Sequence, residues 1–298
     1  MSAPGNPVVS VVIGSYNRSR YLRATVDTVR HELADLPHEI VVVDGGSSDG
    51  SLRWLLRQKD VITIVQHNHG EWNGKPIERS SWGYFMNLAF RAASGKYICM
   101  LSDDCLVIPG AIVNGLDVFE RALEAGEPRV GAVAFYWRNW PEQDNYWVGF
   151  TYGNRMFVNH GLYLREALEK VGFIDAQSYF FYHADGDLCL RLDKAGYRCI
   201  DSPSSFIEHA SHVNAPLKMQ NFEHQESDWE TYGARWSHLG EPKQAWNSTT
   251  YTDTERTAGK YWNRRIERLW SLSRKKAGAV AHVLRGMSAR ARRPRSRD

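Results

Sequence analysis

The sequence predicts an α/β fold: an open, mostly parallel sheet flanked by helices, with a C-terminal helical basic tail. Three observations predict it. The runs VVSVVIG (residues 8–14) and EIVVVD (39–44) are β-branched and do not alternate with polar residues, which suits strands buried on both faces of a parallel sheet. Segments with apolar residues at helical spacing alternate with these runs, and strand–helix–strand order gives right-handed crossover units. Residues 259–298 carry 13 Lys/Arg against 2 Asp/Glu, whereas residues 1–258 carry 24 against 32, so the net charge of +3 conceals an acidic body and a basic tail.

The elements follow in order. Val8–Gly14 is the first strand and Arg20–Leu33 the first helix. Glu39–Asp44 is the second strand, and Asp49 is placed to cap a helix through Gln58 that turns Leu52, Leu55 and Leu56 inward. Val61–Gln66 is a third strand. Residues 67–76 (HNHGEWNGKP) form a loop, and Glu78–Ala93 a helix closed by Gly95. Lys96–Leu101 is a fourth strand running into Ser102, Asp103 and Asp104. Further on, residues 130–136 are a strand, 137–155 an aromatic loop, and Arg165–Val171 a helix ended by Gly172. Asp185–Ala195 is a helix closed by Gly196, followed by strands at Tyr197–Ile200 and Ser205–His209. From Ala210 the pattern weakens into polar, Trp-rich sequence.

The composition narrows the function classes. A chain of 298 residues, 43% hydrophobic and 24% charged, is neither disordered nor fibrous. No apolar run approaches the roughly 20 residues of a membrane-spanning helix. Met1–Pro7 lacks the basic-then-apolar pattern of a secretory leader. The four cysteines show no C-x-x-C spacing, which suits a reduced, cytoplasmic setting.

Ligands of open parallel sheets bind outside the carboxyl ends of the strands. Four such ends should share one rim: Gly14–Asn17, Asp44–Ser47, Gln66–Asn68 and Ser102–Asp104. Adjacent aspartates after a buried strand are costly unless cations or donors meet them. A divalent cation that takes carboxylate and phosphate oxygens together is one partner for Asp103 and Asp104; a helix cap at Asp104 is the plainer reading. Asp185 suits an N-cap position as well as a chemical role. Asp187 is spaced to pair with Arg191 at i, i+4. His209 gains a metal role only if it comes near Asp104.

Four segments resemble the family 2 glycosyltransferases, the inverting enzymes that use nucleotide-diphosphate sugars. They are VVIGSYNRSRYLRATVDTV, IVVVDGGSSDGS, MNLAFRAASGKYICMLSDDCLVIPGAI and VGFIDAQSYFFYHADGDLCLRLDKAGYRCI, in the family's order and spacing. The resemblance covers roughly residues 7–212. It implies the GT-A fold, a Rossmann-like sheet, over 1–212, with a nucleotide-binding half at about 1–108 and an acceptor half at about 109–212. Residues 213–258 are then an extension, and 259–298 a basic amphipathic helix and disordered tail. The resemblance implies that Tyr16 packs by the nucleotide base, that Asp44 contacts base or ribose, and that Asp103 binds the ribose or diphosphate side. Asp104 and His209 would hold Mg²⁺ or Mn²⁺, Asp185 would be the general base, and Arg79 or Lys75 a phosphate clamp. The implied reaction is sugar transfer to a glycan or lipid-linked hydroxyl, in cell-surface polysaccharide or glycolipid synthesis. One in-line displacement needs a base and leaving-group stabilisation but no covalent nucleophile.

Three departures stand out. The family's second aspartate in the second segment is Gly45 here, the first D-x-D position is Ser102, and the acidic residue before the implied base is Ala184. The aromatics of 135–152 suit either sugar stacking or core packing. In the tail, Ile266, Leu269, Trp270, Ala277, Val280, Ala281 and Leu284 recur at helical spacing with arginines and lysines between them. That pattern suits a peripheral helix on an anionic membrane surface over 264–297, on the inner face of the cell membrane. Docking on the body, or attraction to nucleic acid without specific recognition, are the other readings. Two rival functions are a sugar-phosphate nucleotidyltransferase, which would want a Gly-rich phosphate loop after the first strand, and a non-catalytic binding protein acting through its tail.

Overall fold

A computed structural model describes residues 6–126, 129–210, 220–243, 246–249 and 251, together with 259–261, 263, 265–267 and 269. The elements are, in chain order, β1 (Val9–Ser15), α1 (Ser19–Glu32), β2 (His38–Asp44), α2 (Ser51–Leu55), β3 (Val61–Val65), β4 (Glu71–Trp72), β5 (Lys75–Pro76), α3 (Trp82–Ala92), β6 (Tyr97–Ser102), β7 (Cys105–Val107) and α4 (Ala111–Glu124). They continue with β8 (Val130–Asn139), β9 (Tyr146–Thr151), β10 (Arg155–Met156), β11 (Gly161–Leu164), α5 (Arg165–Val171), α6 (Ala184–Lys194), β12 (Arg198–His209), α7 (Gln225–Trp236) and β13 (Trp246–Thr249).

Among the described residues the main sheet runs β10-β9-β8-β11-β6-β1-β2-β3, with β12 joining β8 and β7. The block β6-β1-β2-β3 is parallel: β1 pairs with β2 and β6, and β2 with β3. Strand β11 enters antiparallel between β6 and β8. This is the mixed α/β architecture the sequence pattern predicts, with a mixed second half added in which β9 and β11 run antiparallel to β8 and β12 runs parallel to it. The parallel strands are apolar on both faces because helices cover both. Val11, Ile13, Val42 and Cys99 pack under α1 and α4, and Val12, Val41, Val43 and Met100 pack toward α3 and α6.

Several boundaries differ from the sequence reading, each for a local reason. Helix α3 starts at Trp82 rather than Glu78, because the Ser81 hydroxyl accepts from the Tyr84 amide and caps it there. Helix α2 is short, and Leu56 is exposed rather than turned inward. Asp49 stands one residue before the cap and accepts from the Ser51 amide at 3.0 Å. Helix α4 follows Gly110, and its first amides are satisfied from another helix: Glu32 accepts from Gly110, Ile112 and Val113. The aromatic stretch 137–155 is not a loop but a sheet extension, closed by Trp137 opposite Trp147 with ring centroids 4.0 Å apart. The two short strands expected at 197–209 are one strand, β12, with a register shift between Ser202 and Phe206.

The tail's described part meets the body. Glu267 is fully buried; its carboxylate lies 2.7 Å from Arg20 and accepts from the Tyr21 hydroxyl at 3.0 Å, while Ile266 and Leu269 face outward. The remainder of the proposed membrane helix lies outside the described residues. Among the described residues no helix is long and apolar enough to cross a membrane.

Candidate active site

The parallel register aligns Ser15 with Asp44 and Gly14 with Ser102, so the carboxyl ends of β1, β2 and β6 lie on one rim. A cavity of about 360 Å³ opens there, and Ser15, Gly45, Asn68 and Asp103 from the four expected strand ends all line it. Asn17 ties two of these ends together: its amide donates to the Ser47 hydroxyl and its side-chain oxygen accepts from the Ser48 amide. Its positive φ of 51° turns the chain so that Arg18 points back over the rim.

Asp103 and Asp104 are both buried. Arg18 Nη1 donates to Asp103 Oδ1 at 2.8 Å and to Asp104 Oδ2 at 2.7 Å, and Ser15 Oγ donates to Asp103 Oδ2 at 2.8 Å. Burial raises the pKa of Asp103 above the usual carboxylate range. Burial acts in the same direction on Asp104, but Arg18 and then His209 outweigh it and hold Asp104 low, hence ionised.

Strand β12 pairs antiparallel with β7, placing His209 opposite Cys105. The Ala210 amide donates to the Asp104 carbonyl. His209 Nε2 therefore stands 3.3 Å from Asp104 Oδ1. That oxygen is buried and receives no well-formed hydrogen bond. Neighbouring ligands on an octahedral ion at about 2.1 Å stand about 3 Å apart, so an open carboxylate oxygen beside an imidazole fits a divalent metal. Cys105 and His160 lie behind His209, but both are buried, and burial pushes the His160 imidazole down to about 3, keeping it neutral.

Tyr16 lines the cavity, and its ring stacks on His69 with centroids 4.0 Å apart. Gly45 lies under that ring: a Cβ there would stand 3.2 Å from Tyr16 Cδ2. Asp44 is fully buried and does not line the cavity. Its Oδ1 accepts from the Gly46 and Ser47 amides, while its buried Oδ2 has no partner. Arg79 lines the cavity, donates to Asn221 at 2.8 Å and lies 5.2 Å over the Phe180 ring. Lys75 is exposed on β5, away from the lining.

Asp185 sits in the first turn of α6, whose cap is His183 with φ 62°, not an aspartate. Burial raises the Asp185 pKa to about 6, against the opposing pull of the Gly186 amide. It also lines a second, aromatic cavity of about 460 Å³. Asp187 pairs with Arg191 at 2.6 Å, as the spacing predicts, and also accepts from Arg235 and Trp236 of α7. From α7 too, Asp228 accepts from the amides of Phe180, Phe181 and Tyr182, the loop that walls both cavities. Sequence reading missed Arg18 and Asp228 as site-building residues. The YNR turn contained a signal for Arg18; for Asp228 no local pattern existed.

The chain's likenesses agree with this geometry. The family described as Glycosyl transferase family 2 matches residues 10–160. An uncharacterized glycosyltransferase of Nostoc sp. is 33% identical over 115 residues, 38% of this chain and 33% of that protein, so the match spans a third of the relative's length. Among solved structures, a mannosyltransferase of Pyrobaculum calidifontis in complex with GDP-Man and Mn²⁺ superimposes with TM-score 0.56 at 18% identity, covering 97% of this chain and 82% of that one. Residues 1–349 of S. aureus TarS in complex with UDP-GlcNAc give 0.51 at 14% identity, over 75% and 66%. At these identities the structures establish a shared GT-A-like fold. The family match covers half the chain and includes the strand ends bearing Tyr16, Asp44, Asp103 and Asp104, and on that ground the chain belongs to glycosyl transferase family 2.

Proposed function

We propose that the protein is a metal-dependent inverting glycosyltransferase that moves a sugar from a nucleotide-diphosphate donor to a hydroxyl acceptor, in cell-surface polysaccharide or glycolipid synthesis. The observation that carries this reading is the open Asp104 oxygen beside His209, at the same cavity that Asp185 lines. The metal-bearing complex of the Pyrobaculum mannosyltransferase and the nucleotide-sugar complex of TarS support the choice of donor class.

Each residue then has a task. Tyr16, backed by His69, offers a ring face to the base. Asp44, buried behind Gly45, holds the Gly46 and Ser47 amides and so shapes the wall on which the base or ribose would rest. Asp103, fixed by Ser15 and Arg18, serves the ribose or diphosphate side. Asp104 and His209 would hold Mg²⁺ or Mn²⁺, which when bound neutralises charge on the leaving diphosphate. Arg79 adds a cation to the same cavity. Asp185, with its pKa raised to about 6, takes the proton of the attacking hydroxyl. We place the protein in the cytoplasm, with the basic tail at the inner face of the membrane.

Calorimetric titration of UDP, GDP, dTDP and CDP, each with and without Mn²⁺, tests the reading. Metal-dependent binding of one diphosphate names the donor class. Binding of none, in the presence of Mn²⁺, removes the donor reading.

A further inference from the structure

The second cavity shares Asp185, Phe181 and Tyr182 with the first, so a ligand seated there lies beside the same carboxylate. Its walls are largely aromatic: Phe150, Tyr152 and Phe157 on the sheet side, Trp229 and Tyr232 on α7. Trp229 is 51% exposed, so part of its indole is accessible to a ligand in this cavity. His183 braces this wall. Its ring stacks on Tyr232 at 4.9 Å and meets Trp229 edge-on at 4.9 Å. Holding a non-glycine residue at φ 62° has an energetic cost, and such strain concentrates at functional sites. Gly186 allows the closeness of α7, since a Cβ there would stand 3.0 Å from the Tyr232 hydroxyl oxygen.

The charge of the cavity is as informative as its shape. Among the described residues that line it there is no Lys or Arg; the ionisable acids are Asp185 and Glu241. Burial pushes the His183 imidazole below its ordinary value, so it contributes no cation at neutral pH. Among the described lining residues a phosphate or carboxylate ligand would meet two acids and no Lys or Arg. A neutral pyranose suits it: the C–H face of the ring rests on the electron-rich face of an aromatic side chain, and its hydroxyls donate to carboxylates.

We propose that this cavity binds the acceptor's reacting residue and that this residue is an uncharged sugar ring, seated on Trp229 with Glu241 accepting from a hydroxyl. The proposal rests on the transferase reading for the word acceptor, but not for the binding of the sugar.

Saturation-transfer NMR on the full chain with Mg²⁺ and a mixture of UDP, GDP, dTDP and CDP reads both cavities in one sample. The probes are the methyl glycosides of glucose, galactose, mannose and N-acetylglucosamine, with methyl glucuronide and glycerol 3-phosphate as anionic counterparts. We expect saturation of at least one neutral glycoside and neither anion. Trp229→Ala should weaken that glycoside about tenfold, Trp229→Phe should largely keep it, and nucleotide signals should be unchanged in both. Signals from the anionic probes alone, no glycoside signal, or a neutral signal indifferent to Trp229→Ala overturns the proposal. Loss of nucleotide signals with a Trp229-dependent glycoside signal would instead remove the donor reading and leave the sugar site standing.

Discussion

One nitrogen of Arg18 bridges two neighbouring carboxylates: Nη1 lies 2.8 Å from Asp103 and 2.7 Å from Asp104. This contact leaves Asp104 Oδ1, the buried oxygen beside His209, without a well-formed hydrogen bond while balancing charge that burial would otherwise make prohibitive. Arg18→Met should therefore cost about 3–5 kcal/mol by urea denaturation, the range for removing one partner of a buried ion pair. Arg18→Lys should recover only part, since an ammonium lacks the planar fork. Added Mn²⁺ should restore stability to Arg18→Met more than to the wild type, because a divalent cation would balance the same pair. Equal stabilisation of the two proteins would count against the shared role.

Gly45 is a departure from the family's pattern that the structure accounts for sterically. Any Cβ at this position presses on the Tyr16 ring and its stack with His69. Gly45→Ala should weaken nucleoside diphosphate binding several-fold, within the ~0.5–1.5 kcal/mol that aromatic pairing supplies. Calorimetry on the variant checks this; unchanged affinity would separate Tyr16 from base binding.

The raised pKa of Asp185 makes opposite predictions for rate and stability. Transfer should rise with pH through about 6 and level off above it, because the base acts deprotonated. The folded carboxyl keeps its proton up to about 6, whereas an unfolded aspartate releases it near 3.8. The folded state therefore binds more protons across that window, and stability falls as pH rises through it. Asp185→Asn should abolish transfer yet melt higher than wild type at pH 7, by about 2–4 °C, with the difference shrinking at pH 4. Thermal denaturation at the two pH values decides the sign.

Asp228 holds the wall between the cavities through three backbone amides. Asp228→Ala leaves them without a partner and should cost about 2–4 kcal/mol. It should also speed hydrogen exchange at Phe180–Tyr182 more than at α3, and lower kcat. Uniformly faster exchange across the chain would show only global destabilisation.

The legible part of this protein was the part written locally. Non-alternating runs announced β1 and β2, and the strand-end positions of Asp44 and Asp103 followed from parallel topology alone. The i, i+4 spacing announced the Asp187–Arg191 pair. His209 could be named as a candidate, but its approach to Asp104 depends on β12 pairing with β7, a contact between distant segments that no periodicity encodes. Asp228 was illegible for the same reason: its partners are backbone amides of a loop far away in sequence. The aromatic stretch reads as loop in the sequence because aromatic residues on both faces of β8 and β9 mask the alternation of a strand.

In the proposed reaction Asp104 holds the metal side of the donor while Asp185 acts only on the acceptor side. The most direct measurement is calorimetry of the preferred nucleoside diphosphate against Asp104→Ala and Asp185→Ala, with and without Mn²⁺, alongside transfer assays. Both variants should lose transfer; Asp104→Ala should lose the Mn²⁺-dependent part of nucleotide binding, and Asp185→Ala should retain it. Equal loss of metal-dependent binding in both variants, or none in Asp104→Ala, would contradict that division of roles.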